Sequence, residues 1–457
     1  MNGLPLQFPV TKLEHVVLAC QPNDPLEPGD KRYVDFAALR HGQGLGGLRS
    51  DLLDPLPTGK FHHRCICGHR GCGKTTELLA LKDWADQNGF AVVHMEVDEH
   101  YGQIELDFSD LFLLAATGAE RAAEDLGSRL PDGQVRGVVE WFSERIDEVR
   151  DTAQSELSVE AGGQVGGSLP LGLGKLFAKF TAGVKAGTQH ATTVRTQIRS
   201  YPNALIDLTN QLLETANALL TEAGRPHGLL LLFDNLDRYE PDCIDRALFR
   251  NSHLVQHLGC HALFTVPIAL EYEPRGTIQD AHGVLLVLPM LPLRRQPSSW
   301  AETVAGSTFE QEAVAGLREA LAARVDLDRL FEHPDDADLL VRMSGGCIRD
   351  LMHLVTLARH EVGGAAVITT EAVVKAIRRM RASYITRLAQ EDYDRLAAIA
   401  HRDRVPRDAL TRRLLFQRFA LEYWDADYVP WIDVHPLVVE TEEFRSAYGH
   451  DSSIATG

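Results

Sequence analysis

The sequence predicts an α/β fold built on a parallel, doubly wound sheet, followed by a helical region and a small C-terminal module. Three observations carry this. A strand-like run from Phe61 to Cys67 leads through a glycine-rich turn into a helical pattern marked by Leu78, Leu79, Leu81 and Trp84. The runs Phe90–Val97, Gly228–Phe233 and His261–Val266 read as strands, with a helix expected over Leu106–Ala123, and such alternation is the mark of a parallel sheet. Beyond about Pro297 the periodicity becomes helical over Phe309–Ala323, Asp335–Met343, Ile348–Val362 and Thr370–Ala382, with Thr369 or Thr370 capping the last.

These shifts divide the chain into an N-terminal segment (1–60), a core (61–296), a helical lid (297–389) and a terminal module (390–457). In the module, two short helices, strands at Phe419–Trp424 and Trp431–Val434 around an Asp-rich turn, and a final helix suggest a winged-helix-like shape.

A chain of 457 residues is long enough for two to four domains, each with its own core. With 44% hydrophobic and 24% charged residues, wholesale disorder is excluded. The 46 Lys+Arg against 64 Asp+Glu give a formal charge of −18, which argues against whole-surface nucleic-acid binding. A signal-peptide layout is missing at the N-terminus, no apolar run is long enough to span a membrane, and seven cysteines form no disulfide framework. A cytoplasmic location is the expectation.

Gly68-x4-Gly73-Lys74-Thr75 satisfies the whole P-loop pattern, after a strand and before a helix. In Gly68, His69, Arg70, Gly71, Cys72 and Gly73 the backbone N–H groups are expected to curl round phosphates. Lys74 would meet the β and γ oxygens, and the Thr75 hydroxyl would ligate Mg²⁺. Thr76 is the next hydroxyl, a reserve for Thr75 or a neighbour of the base. Leu229–Asp234 is an apolar strand ending in a carboxylate, so Asp234 is the expected metal-shell residue. Asp237 reads two ways, as the group that polarises attacking water or as a helix N-cap.

GHRGCGKTTEL at 68–78, LLLLFDNLDR at 229–238 and HALFTVPIAL at 261–270 resemble the AAA+ and STAND-type ATPases, including the archaeal-ATPase, origin-recognition-like and KAP-like branches. The resemblance covers roughly 30–120 and 205–390. It implies ATP and Mg²⁺ as ligands, Thr265 as a sensor of the γ-phosphate, and Arg349 in Ser344-Gly345-Gly346-Cys347-Ile348-Arg349 as a second sensor reaching from the lid. It also places Tyr33, within Lys31–Asp35, near adenine. AAA+ hydrolases usually carry Glu directly after the metal-binding Asp, whereas this chain has Asn235. Hydrolysis would then depend on Asp237, Glu96 or Asp98, or be slow. The Asp-Asn-Leu-Asp-Arg string sits nearer the STAND and KAP patterns, which favour a nucleotide-controlled switch.

Other features read as follows. His62, His63, Cys65 and Cys67 are competent metal donors, but alternation along a strand and the lack of a second cluster favour packing. The Cys72 thiol could block the site on oxidation or be simply a small tolerated residue. Residues 161–206 carry no acid but do carry Lys175, Lys179, Lys185, Arg195 and Arg199, after a glycine-rich approach. Within this insertion Leu173, Leu176, Phe177, Phe180 and Val184 share one helical face opposite the lysines, which suits a helix packed on its own domain or a contact with a membrane surface, a partner or nucleic acid. Lys375, Arg378, Arg379, Arg381 and Arg387 form a second basic stretch, open to a DNA backbone or an acidic protein surface. From Phe416 onward two bases face eight acids, so protein contact suits the module better than DNA. Arg238, Arg246 and Arg250 read as surface charges or, in an assembly, as arginine fingers.

The functional expectation is an ATP-binding and hydrolysing switch that acts on a partner protein or by self-association, with bacterial defence suggested by STAND analogy. The alternatives are an ATP-gated DNA-binding initiator or loader, and a nucleotide-bound scaffold without turnover.

Overall fold

A computed structural model describes residues 6–41, 44–98, 105–142, 144, 173, 200–273, 282–294, 309–401 and 406–454. Apart from Leu173, the basic stretch of the insertion up to Arg199 lies outside them.

Five strands make the main sheet: β1 (His63–Gly68), β2 (Phe90–Glu96), β3 (Gly228–Asp234), β4 (His261–Pro267) and β5 (Leu286–Val287), in the order β2-β3-β4-β1-β5 and all parallel. β3 is buried along its whole length, as a central parallel strand covered on both faces must be. Side chains alternate between two cores. Leu230, Leu232, Ile66 and Leu263 pack on one face against Leu78, Leu81 and Ala85 of helix α1 (Lys74–Gln87). Leu229, Leu231, Phe233 and Phe264 face the other, with helices α2 (Phe108–Asp125) and α3 (Pro202–Glu222). Asp107 caps α2 in a capping box with Asp110. Gly118 lets α2 lie close to the sheet, for a Cβ there would stand 2.8 Å from Leu231 Cδ2.

The helical lid contains α4 (Gln311–Ala322), α5 (Asp336–Met343), α6 (Ile348–His360) and α7 (Thr370–Ile385). Of the two expected caps, Thr369 fills the position, its hydroxyl accepting from Ala372 N at 3.1 Å. The winged-helix-like module follows: α8 (Gln390–Ala400), α9 (Ala409–Phe416), the antiparallel hairpin β6 (Ala420–Trp424) and β7 (Pro430–Val434), and α10 (Glu442–Ile454). Asp425 Oδ1 fastens the hairpin turn by accepting from Asp427 N and Val429 N, both at 2.9 Å. Among the described residues no helix is long and apolar enough to cross a membrane.

One local expectation is corrected after β3. Asn235 takes φ +65°, a left-handed conformation that Asn tolerates, and Leu236–Arg238 forms a single 3-10 turn. Asp237 therefore lies inside that turn and caps no helix. It is turned toward Lys74 instead.

Candidate functional site

Parallel sheets present ligand sites at the carboxyl ends of their strands, and there the loop 68–73 joins β1 to α1. Gly73 (φ +104°) and Gly71 (φ +89°) occupy conformations that L residues rarely adopt. Gly71 is also needed for space: a Cβ would stand 2.6 Å from Arg349 Cβ and 2.8 Å from Cys347 Sγ, so the lid rests on the loop at this point. Together the N-terminal segment, the loop and the lid enclose a cleft.

Lys74 is buried at its floor. Its Nζ donates to Gly68 O (2.8 Å) and His69 O (3.0 Å) and lies 2.6 Å from Asp237 Oδ2. Burial opposes the ammonium, but the charge of Asp237, with lesser help from Cys72 and Asp234, outweighs it and holds the pKa above the ordinary lysine value. The site thus keeps a positive charge where anionic oxygens would arrive.

Asp234 ends β3 beside β2, whose His94 brings Nε2 to 3.2 Å from Asp234 Oδ2, while Asn235 N donates to Oδ1 at 2.7 Å. Burial pushes this carboxyl up; the His94 bond and charge, with smaller contributions from Asn235 N and the Thr75 hydroxyl, reverse that and leave it below the usual carboxylate range. An ionised carboxylate next to a threonine hydroxyl is a donor set that suits a hard divalent cation. His94 was not legible as part of the site, since only the register of β2 against β3 brings it to Asp234.

Thr76 lines the cleft, but its Oγ1 accepts from Leu26 N (3.3 Å), which ties the N-terminal segment to α1. Tyr33 also lines the cleft, half-exposed, on the side of that segment. Arg349 reaches the cleft from the start of α6, its Nε 3.4 Å from Pro22 O. Glu96 lines it too and accepts from Asn235 Nδ2 at 3.3 Å, whereas Asp98 pairs with Arg238 at 2.7 Å. Thr265 stands apart. It is buried within β4, its hydroxyl accepting from Leu236 N (3.2 Å) and facing Phe233 O (3.5 Å), so it braces the turn that carries Asp237.

Three expected phosphate-loop residues turn their side chains away from the cleft. His69 is buried and its Nε2 accepts from Glu422 N of β6 at 2.8 Å. Burial, then the charge of Lys74, depresses its pKa to about 3, so it stays neutral and able to accept. Arg70 donates from Nη2 to Phe416 O (3.1 Å) and lies over the Phe416 ring at 4.5 Å. Cys72 packs into an apolar cluster with Leu288, Leu421 and Trp431, its Sγ 4.0 Å from Lys74 Nζ, in keeping with the reading of a small tolerated residue. Phosphate contacts from 69, 70 and 72 can then come only from the backbone.

The remaining candidates separate. His63 Nε2 lies 3.1 Å from Leu258 O and 3.0 Å from Cys260 O, and His62 is stacked on His261, so both serve packing at the amino-terminal ends of β1 and β4, away from the cleft. Arg250 pairs with Asp245 (2.7 Å) within its own chain, and Arg246 is exposed. Lys375 pairs with Glu371, Arg379 with Glu361 and Arg381 with Glu440.

No family model matches the chain, and no curated protein sequence matches it. Among solved structures, 97% of the chain aligns with 98% of the Aeropyrum pernix ORC1 protein, solved in complex with DNA, at 14% identity and a TM-score of 0.34. A likeness that loose decides nothing about the site. The parallel sheet, with its glycine loop and buried lysine at the end of β1, defines a P-loop α/β fold.

Proposed function

We propose that this chain binds ATP with Mg²⁺ in the cleft between loop and lid, hydrolyses it, and works as an AAA+/STAND-type switch in the cytoplasm, passing its nucleotide state to a partner protein or to further copies of itself. One observation carries the reading. The loop that offers Lys74 and its backbone to the cleft anchors the winged-helix-like module through His69 and Arg70 on its other side.

Asp237 is the counter-charge of Lys74. A triphosphate brings more negative charge than one carboxylate, so it displaces Asp237 from the ammonium. Asp237 then turns to the cleft, where it can polarise water, a task Asn235 cannot perform for lack of a basic oxygen. Glu96 stands beside Asn235 as the second carboxylate of the cleft. Thr75 and Asp234 would hold the metal ion, which when bound screens the phosphate charge as a Lewis acid. Arg349 approaches from the lid and gains a partner when phosphate is present, which draws lid and loop together. Shifting the loop strains the His69–Glu422 and Arg70–Phe416 contacts and so transmits occupancy to the module.

The test is binding of a fluorescent ATP analogue together with phosphate release from Mg²⁺-ATP. Lys74→Ala should lose binding, and Asp234→Ala should keep part of it and stop release. Wild-type-like binding by Lys74→Ala would overturn the proposal. Release stimulated by double-stranded DNA would move the reading to a DNA-gated loader, and binding without any release to a scaffold.

A further inference from the structure

One carboxylate in the cleft is used neither by Lys74 nor by the Asp234 site. Glu77 lies in the first turn of α1, four residues beyond Gly73 and so on the same helical face, and both line the cleft. Arg40, from the N-terminal segment, spans the two levels. Its Nη2 donates to Cys72 O at 2.5 Å, and its Nη1 stands 3.5 Å from Glu77 Oε1. The second contact is at the outer limit of a hydrogen bond, and the Glu77 side chain keeps 21% of its surface exposed. The carboxylate therefore has acceptor capacity to spare on the cleft side. Burial pushes its carboxyl up while Arg40 pulls it down, so a further donor would favour the ionised form.

Thr76 is already occupied by Leu26 N, which leaves Glu77 as the acceptor one turn along the helix from the phosphate loop. The helix rises about 1.5 Å per residue, so Glu77 lies a few ångströms beyond the amides of Gly73–Thr75. A nucleoside triphosphate seated on those amides carries two kinds of donor. Its ribose hydroxyls are next to the phosphate chain, whereas the amine of its base is at the far end. We infer that Glu77 accepts a hydrogen bond from the ribose 2′-hydroxyl and makes the site select ribonucleoside over deoxyribonucleoside triphosphates, with Arg40 as the positioning residue. This inference rests on the nucleotide reading above.

The experiment measures dissociation constants of the full chain for ATP, 2′-deoxy-ATP and inosine triphosphate by calorimetry, in wild type, Glu77→Gln and Glu77→Ala. Wild type should bind ATP about tenfold more tightly than 2′-deoxy-ATP, the magnitude of one hydrogen bond to a charged group. Glu77→Ala should bring that ratio to about one by weakening ATP alone, and Glu77→Gln, which keeps a carbonyl acceptor, should fall between. Inosine triphosphate, which has the ribose but lacks the amine, should follow ATP throughout. Equal binding of ATP and 2′-deoxy-ATP by wild type overturns the inference, as does an equal loss of both in Glu77→Ala. Glu77-dependent discrimination against inosine triphosphate overturns it in favour of a contact with the base. If Lys74→Ala abolishes all binding while the wild-type ratio is one, this inference falls and the nucleotide site stands. If wild type binds none of the three, both fall.

Discussion

His69 Nε2 accepts the backbone N–H of Glu422 at 2.8 Å, which ties the second residue of the phosphate loop to a strand 353 positions further along the chain. Both groups are buried, and His69 is held neutral, so the contact is an ordinary hydrogen bond in a site without water to replace it. The glycine loop is thereby a shared wall between the cleft and the C-terminal module. Tyr423 OH, donating to Gly345 O at 2.7 Å, adds the lid to the same junction.

Replacing His69 with Ala leaves the Glu422 N–H buried and unpaired, a loss of about 1–3 kcal/mol. The expected outcome is a lower melting temperature and faster proteolytic removal of the C-terminal module, with the cleft still binding ATP through Lys74. Unchanged melting and proteolysis would show that the module is held without this bond.

Asp237→Asn removes the counter-charge of Lys74. The nucleotide-free protein should lose about 3 kcal/mol, because a buried ammonium is left without its partner. ATP should bind more tightly, since phosphate no longer competes with a carboxylate, while phosphate release falls. Denaturant melts and titrations on the same preparation check both signs. Tighter binding with undiminished release would assign the water to another carboxylate, Glu96 first.

Glu422 supplies a pH dependence. Burial raises its carboxyl to about 7, against smaller lowering contributions from Tyr272 and Trp424. A folded-state pKa above the unfolded one means that the folded chain binds the proton more tightly. The stabilisation is full below the unfolded value near 4.5 and is lost as pH rises through 7. Glu422→Gln should therefore flatten the fall in stability between pH 5 and pH 8 by about 3 kcal/mol. His69 has the opposite slope, its depressed pKa removing stability as pH falls from its ordinary value toward 3, so the comparison is made between wild type and variant at each pH. Parallel curves would sink the prediction.

The junction of lid and module depends on Asp350. Its carboxylate receives Arg418 Nη2 and Tyr384 OH, both at 2.9 Å, while His435 lies 3.6 Å away. Burial alone would raise this carboxyl, and Arg418 followed by His435 holds it well below the usual range. Arg418→Ala should cost about 3–5 kcal/mol, read in denaturant melts, because a buried carboxylate loses its charge partner. Arg418→Ala together with Asp350→Asn should recover part of that loss.

Much of the fold was legible along the chain because its signals are local. The apolar runs of β2, β3 and β4, the glycine loop at 68–73 and the lid helices were placed within a few residues, since periodicity and turn chemistry are written in neighbouring positions. Lys74, Thr75 and Asp234 stand in the same local motifs, and the fold gathers them at the carboxyl end of the sheet. The turn after β3 left Asp237 open between two readings, because Asn235 entering a left-handed conformation is a choice between local alternatives that packing settles. His94, Arg40 and Glu77 carried no signal at all.

By itself, then, the sequence determined a P-loop α/β core, a helical lid and a winged module, because strand, loop and helix propensities act over short distances. Only the tertiary structure decided how each loop side chain is spent. Strand order brings His94 to Asp234, and the Asn235 turn aims Asp237 at Lys74. Docking of α9 and β6 engages Arg70 and His69 on the far side of the loop from the cleft. A buried polar group takes whichever partner the fold supplies, and those partners lie tens to hundreds of residues away, where no local pattern reaches.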